Sequence, residues 1–159
     1  MLKNLRASTI LAAFLALAVF GAAETPEPIA GTWQLDSQQI DGQKRESERL
    51  TLRVSPDGEK FAFAFAVPVN NIDFVSMTYT AKLDGTEADV KNAQGAKVGT
   101  IQITAVGSGH YKLILRGANR PQSNGQLVVS PDGKTLTSES EAANQTGHSV
   151  HLVQSFSRH

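Results

Sequence analysis

Six turn dipeptides divide this chain at short intervals: Asp41-Gly42, Asp57-Gly58, Asp84-Gly85, Gln94-Gly95, Asn124-Gly125 and Asp132-Gly133. Glycine supplies the positive φ that tight hairpins require, and Asp or Asn bonds to its own backbone. Strand-like runs lie between them, near 31–36, 48–55, 60–68, 73–83, 86–91, 97–106, 109–116, 125–130, 134–140 and 147–157. Helical periodicity is scarce. Parallel neighbours need crossover segments of about a dozen residues or more, and this spacing has no room for them. The expected fold is all-β: one antiparallel up-and-down barrel of about 8–10 strands over residues 31–159.

The strand faces differ. Phe61, Phe63 and Phe65 share one side of a strand whose other side is Ala62, Ala64 and Ala66, so it is apolar on both. A half-exposed strand alternates apolar with polar residues, as Ile101-Gln102-Ile103-Thr104 does. Val75, Met77, Tyr79, Ala81 and Leu83 form one apolar face of the next strand. Tyr111, Leu113 and Leu115 form another, and Val150, Leu152 and Phe156 a third. These faces suffice for a barrel core. The two-sided strand implies that something covers its alanine side.

The first 23 residues have the three parts of an export signal. Lys3 and Arg6 are the positive start, Ile10 to Phe20 is an unbroken apolar run, and Gly21-Ala22-Ala23 offers small residues for cleavage. That run is about half of the roughly 20 residues a membrane-spanning helix needs, so no stable anchor is expected. Glu24-Thr25-Pro26-Glu27-Pro28, with its two prolines, reads as an extended linker reaching to residue 30. The expected location is the periplasm or the extracellular space. With no cysteine, neither disulfides nor lipid attachment through a thiol is available.

Beyond the signal, 136 residues remain, enough for one domain with its own core. They carry 13 basic and 15 acidic side chains, scattered singly. A slightly negative chain without a basic block is a poor fit to nucleic acid or to anionic membrane surfaces. One heptad recurs, Leu52 to Gly58 against Leu127 to Gly133, each ending in Ser-Pro-Asp-Gly. Propeller blades of about 40–45 residues do not fit so short a chain, so the recurrence reads as two hairpins sharing a favoured turn.

Catalytic chemistry finds no support. The only histidines are His110, His148, His151 and His159, and His148 and His151 are three apart, which on a strand points them to opposite faces. No metal or cofactor is expected. There is no Gly-x-Ser-x-Gly elbow and no thiol nucleophile. Arg116-Gly117-Ala118-Asn119-Arg120 reads as a solvated loop that could form a small anion site at one barrel end. Asn144-Gln145-Thr146 is a formal glycosylation sequon in a polar turn.

Gly31-Thr32-Trp33 at the first strand resembles the opening motif of the lipocalin and calycin barrels. The chain also resembles small exported bacterial lipocalin-like proteins through Gly31 to Leu35, Tyr79 to Gly85 and Ser130 to Thr137. The resemblance implies that Trp33 closes the barrel base beside Gly31, with Arg158 packed over the indole. The second lipocalin signature, Thr-Asp-Tyr, is missing, as are the tryptophans that line the avidin biotin pocket. It further implies a binding protein, not an enzyme, for a small hydrophobic molecule. Phe61, Phe63, Phe65, Met77, Tyr79, Tyr111 and Leu113 would either line its cavity or fill a solid core. The alternative is a protein-interaction module, or a homodimer, using Ala62, Ala64 and Ala66 as an outer contact strip.

Overall fold

The computed structural model describes residues 26–46, 49–70, 72–118, 120–144 and 146–159. The expected export signal (1–23) and residues 24 and 25 of the expected linker lie outside the described residues, as do Asn119 and Gln145. The elements, all strands, are β1 Gly31–Ile40, β2 Gln43–Arg45, β3 Thr51–Asp57, β4 Lys60–Val69, β5 Ile72–Ala81 and β6 Ala88–Asn92. β7 Lys97–Gly107, β8 His110–Gly117, β9 Ser123–Val129, β10 Thr135–Ala143 and β11 Ser149–Arg158 complete them.

From β3 to β11 each strand pairs antiparallel with its successor. β1 pairs with β3 through Gly31–Gln34 and with β11 through Trp33–Ile40, closing the ring at ten strands. β2 is a three-residue addition hydrogen-bonded to the far end of β1. The sequence pattern did not suggest it, because Gln43-Lys44-Arg45 has no apolar face and is exposed throughout. The ring is tightly laddered except between β5 and β6, which share only Met77↔Asn92 and Thr78↔Lys91. Past these pairs the chain leaves β5 and loops through 82–87 before β6, so the run expected over 73–83 ends two residues early.

Alternation places side chains in or out, and one irregularity alters the expected faces. Phe65 pairs with Met77 and Ala66 with Val75, so Ser76 is an extra residue opposite the β4 ladder. Its hydroxyl donates to the Phe65 carbonyl at 3.2 Å. An inserted residue breaks the period of two. The face expected to run from Val75 to Leu83 is therefore interrupted: Met77 and Tyr79 turn to the interior while Val75 is exposed. The alanine strip is also uneven. Ala62 and Ala64 are half-buried at a cleft beside the sparse β5–β6 seam, whereas Ala66 is fully buried.

The two barrel ends differ in construction. Beneath the first, Ile29, Trp33, Phe63, Ile103, Tyr111, Leu136 and Phe156 form a packed, fully buried core. Residues 27–30, expected as extended linker, instead make a turn in which the Ala30 amide donates to the Glu27 carbonyl at 2.9 Å. Prolines restrict φ without forbidding a turn, and burying Ile29 completely in the barrel floor favours this one. The other end carries Val69, Ile72, Phe74, Val98 and Leu115, all well exposed.

Candidate functional site

The base is closed by six contacts. The Trp33 indole N–H donates to the Ile29 carbonyl at 2.9 Å, tying β1 to the turn below it. The Arg158 guanidinium lies 4.2 Å from the centre of the Trp33 ring. It also donates to three carbonyls, those of Pro28 at 2.6 Å, Ala30 at 2.7 Å and Gly133 at 2.5 Å. The Tyr111 hydroxyl donates to Glu27 Oε1 at 2.5 Å. Gly31 has φ +144°, and a β-carbon there would lie 2.6 Å from Arg158 Nη1. Glycine is required at that position both by the dihedral and by the arginine's approach. One arginine thus joins the first strand, the last strand, the β9–β10 hairpin and the N-terminal turn.

Above this floor the barrel interior is not filled. A chamber of about 280 Å³ is lined by Leu52, Phe65, Met77, Tyr79, Ile101, Leu113, Leu115, Leu127, Leu152 and Phe156, with Ser123, Gly125, Ser138, Ser140 and Gln154 completing the wall. Its upper residues Met77, Leu115 and Ser123 also border a wider mouth cleft of about 970 Å³ at the exposed apolar end. The Tyr79 ring stacks on Phe63 at 4.6 Å between centroids, and lies 6.1 Å from Phe65, so it spans floor and chamber. Burial pushes the Tyr79 hydroxyl well above its ordinary pKa, which keeps it protonated. Burial does the same to Tyr111, with the Glu27 carboxylate adding to the shift.

Of the residues the sequence marked for ligand contact, the structure brings Phe65, Met77, Tyr79 and Leu113 together around the chamber. Phe63 and Tyr111 are buried in the floor, and Phe61 packs against that same core from the rim. These three support the cavity and do not line it. Sequence reasoning missed the opposite wall. A signal existed in β10, where Leu136, Ser138, Ser140 and Ala142 alternate with Thr137, Glu139 and Glu141. The charged residues must face water, so the small neutral ones face inward.

The mouth carries the basic residues of the loop singled out as an anion site. Arg116 is engaged on the outer wall, donating to Gln122 at 3.1 Å, Glu87 at 3.2 Å and Gln102 at 3.4 Å. Arg120 lines the cleft and is exposed. Lys97 is paired with Asp89 at 2.5 Å. The histidines stand apart and exposed, with His148 beside Thr146 Oγ1 at 2.9 Å. Among the described residues no group of three His, Cys, Asp or Glu converges as a metal site would require.

A floor sealed by tryptophan and arginine, a closed ten-strand meander and an interior chamber define an up-and-down β-barrel of lipocalin-like fold. Solved structures share this architecture. Zebrafish ileal bile acid-binding protein complexed with cholic acid superposes with a TM-score of 0.58 at 19% identity, over 83% of this chain and 99% of that one. A secretory abundant heat soluble protein of Ramazzottius varieornatus gives 0.61 at 13% identity, over 85% and 98%. An S-type phycobiliprotein lyase of Guillardia theta gives 0.53 at 12% identity, over 83% and 88%. No family model and no curated protein sequence matches the chain. At these identities the likeness concerns the fold.

Proposed function

We propose that this barrel is an exported binding protein that holds one small hydrophobic molecule in its interior chamber. The observation that carries the reading is the 280 Å³ space above the sealed floor, bounded mainly by aliphatic and aromatic side chains. A chamber slightly below the 300–1,000 Å³ of ordinary ligand pockets suits one compact molecule. Exposed Leu115 and Val98 at the mouth give an apolar ligand apolar contacts on its way to the chamber. The role is binding, not turnover. One structural neighbour, named as a bile acid-binding protein, supports this, and the lyase among the neighbours makes broad enzymatic screening a useful control. Native mass spectrometry of the protein after incubation with a cell extract tests the reading. The expected result is one retained molecule per chain, displaced by Ser140→Phe; a chain that retains nothing from any extract would refute it.

Export rests on Lys3, Arg6, the Ile10–Phe20 run and Ala22-Ala23. N-terminal sequencing of protein recovered from the periplasm or medium should begin at Glu24. A second reading, contact with a protein or a second copy through the alanine strip, retains Ala62 and Ala64 beside the outer cleft and loses buried Ala66. Light scattering that shows a dimer, abolished by Ala64→Lys, would favour it.

A further inference from the structure

We infer that the chamber selects an uncharged ligand, an alcohol or carbonyl compound with an apolar body, and excludes carboxylates. The inference rests on the binding reading above and adds the ligand's chemical class. Its basis is how polarity is distributed around the wall. In the ten-strand ring β10 stands half-way round from β5. β5 contributes Met77 and Tyr79, flanked by Phe65 of β4. β10 contributes Ser138 and Ser140, and its neighbour β11 contributes Gln154.

The register makes these polar residues contiguous. Ser138 lies opposite Gln154 on β11, and Gln154 lies opposite Gln38 on β1. The two amides approach to 3.4 Å, Gln154 Nε2 donating to Gln38 Oε1. Ser140 lies opposite Gly125, whose missing side chain leaves the space before it open. A β-carbon at Gly125 would meet the Glu139 carbonyl oxygen at 2.5 Å, so the backbone itself requires glycine here. The polar track is therefore short, one-sided and neutral. Hydroxyls and amides both donate and accept, so they satisfy a ligand hydroxyl or carbonyl equally well. Across from them Tyr79 keeps its proton and remains a donor.

Among the described residues the chamber lining includes no Asp, Glu, Lys, Arg or His. A carboxylate placed there would be desolvated without a counter-charge, which drives it to bind only as its protonated form. The cations Lys97, Arg116 and Arg120 belong to the mouth, and the first two already have acidic partners. Serving a carboxylate from Arg120 would leave the polar track facing an apolar tail.

Matched probes test this. N-phenyl-1-naphthylamine reports occupancy by fluorescence, and decan-1-ol and decanoate compete for it at pH 8. Decanol should displace the dye at least about 100-fold better than decanoate, since the free acid is scarce well above a carboxyl pKa near 4–5. Ser138→Ala/Ser140→Ala should weaken decanol by about 3–10-fold, the worth of a neutral hydrogen bond, and weaken the dye less than decanol. Circular dichroism confirms that the variant folds. Decanoate competing as well as decanol, and losing its grip in Arg120→Gln, would overturn this inference and leave the binding reading standing. No response to the dye or either competitor would sink both.

Discussion

Removing the Trp33–Arg158 contact is the sharpest probe of how this barrel is sealed. Trp33 is fully buried, so Trp33→Ala empties the largest side chain of the floor. Such truncations cost about 3–5 kcal/mol. The same change deprives the Ile29 carbonyl of its donor. Arg158→Ala removes a cation–π contact of about 0.5–2 kcal/mol. It also removes three hydrogen bonds to Pro28, Ala30 and Gly133. Arg158 is exposed, so water can replace it at those carbonyls and each bond belongs at the low end, about 0.5 kcal/mol. The single losses should be about 3–5 and 2–3.5 kcal/mol, against a total stability of about 5–15 kcal/mol. Their sum exceeds the double mutant's loss by the shared contact, about 0.5–2 kcal/mol. Urea unfolding of the four proteins, followed by circular dichroism in all and by Trp33 fluorescence where it remains, measures this. Losses additive within about 0.3 kcal/mol would show that the indole and guanidinium do not interact, and would refute the seal as described.

Gly31→Ala should destabilise by about 1–3 kcal/mol, because it strains φ and displaces Arg158; in an Arg158→Ala background the steric part of that loss should vanish, which urea midpoints will show. Ser140→Leu should fill the chamber and abolish dye binding while the urea midpoint holds or rises; retained binding would place the site elsewhere. The buried Tyr79 hydroxyl has its folded pKa raised, so the stability it contributes is whole below the unfolded value near 10 and is lost as pH rises above it. Stability should fall by up to about 1.4 kcal/mol per pH unit above that point, and Tyr79→Phe should flatten the fall in urea titrations between neutral and strongly alkaline pH.

Local chemistry determined the architecture, and the sequence displays it. Glycine dipeptides at 41–42, 57–58, 84–85 and 132–133 require turns, and alternation along β7 to β11 requires inward and outward faces, because both act between adjacent residues. The pairing of Trp33 with Arg158 was expected only through the resemblance of Gly31-Thr32-Trp33 to the lipocalin opening motif, and the closed ring does bring the two residues opposite each other. Other features depended on what meets in space. The extra residue Ser76 becomes visible only against the β4 register, where it interrupts the face that Val75 would otherwise share with Met77 and Tyr79. Residues 27–30 carry a proline and directly follow another at Pro26, yet Ile29 fills a floor built by strands distant in sequence. The division of the aromatics was likewise hidden. Phe63 and Phe65 occupy equivalent places in an alternating strand, and only the ring's depth made one of them floor and the other wall. The neutral track was half-legible: alternation with Glu139 and Glu141 turns Ser138 and Ser140 inward, but only strand pairing brings Gln154 beside them and only ring closure sets all three against an apolar chamber.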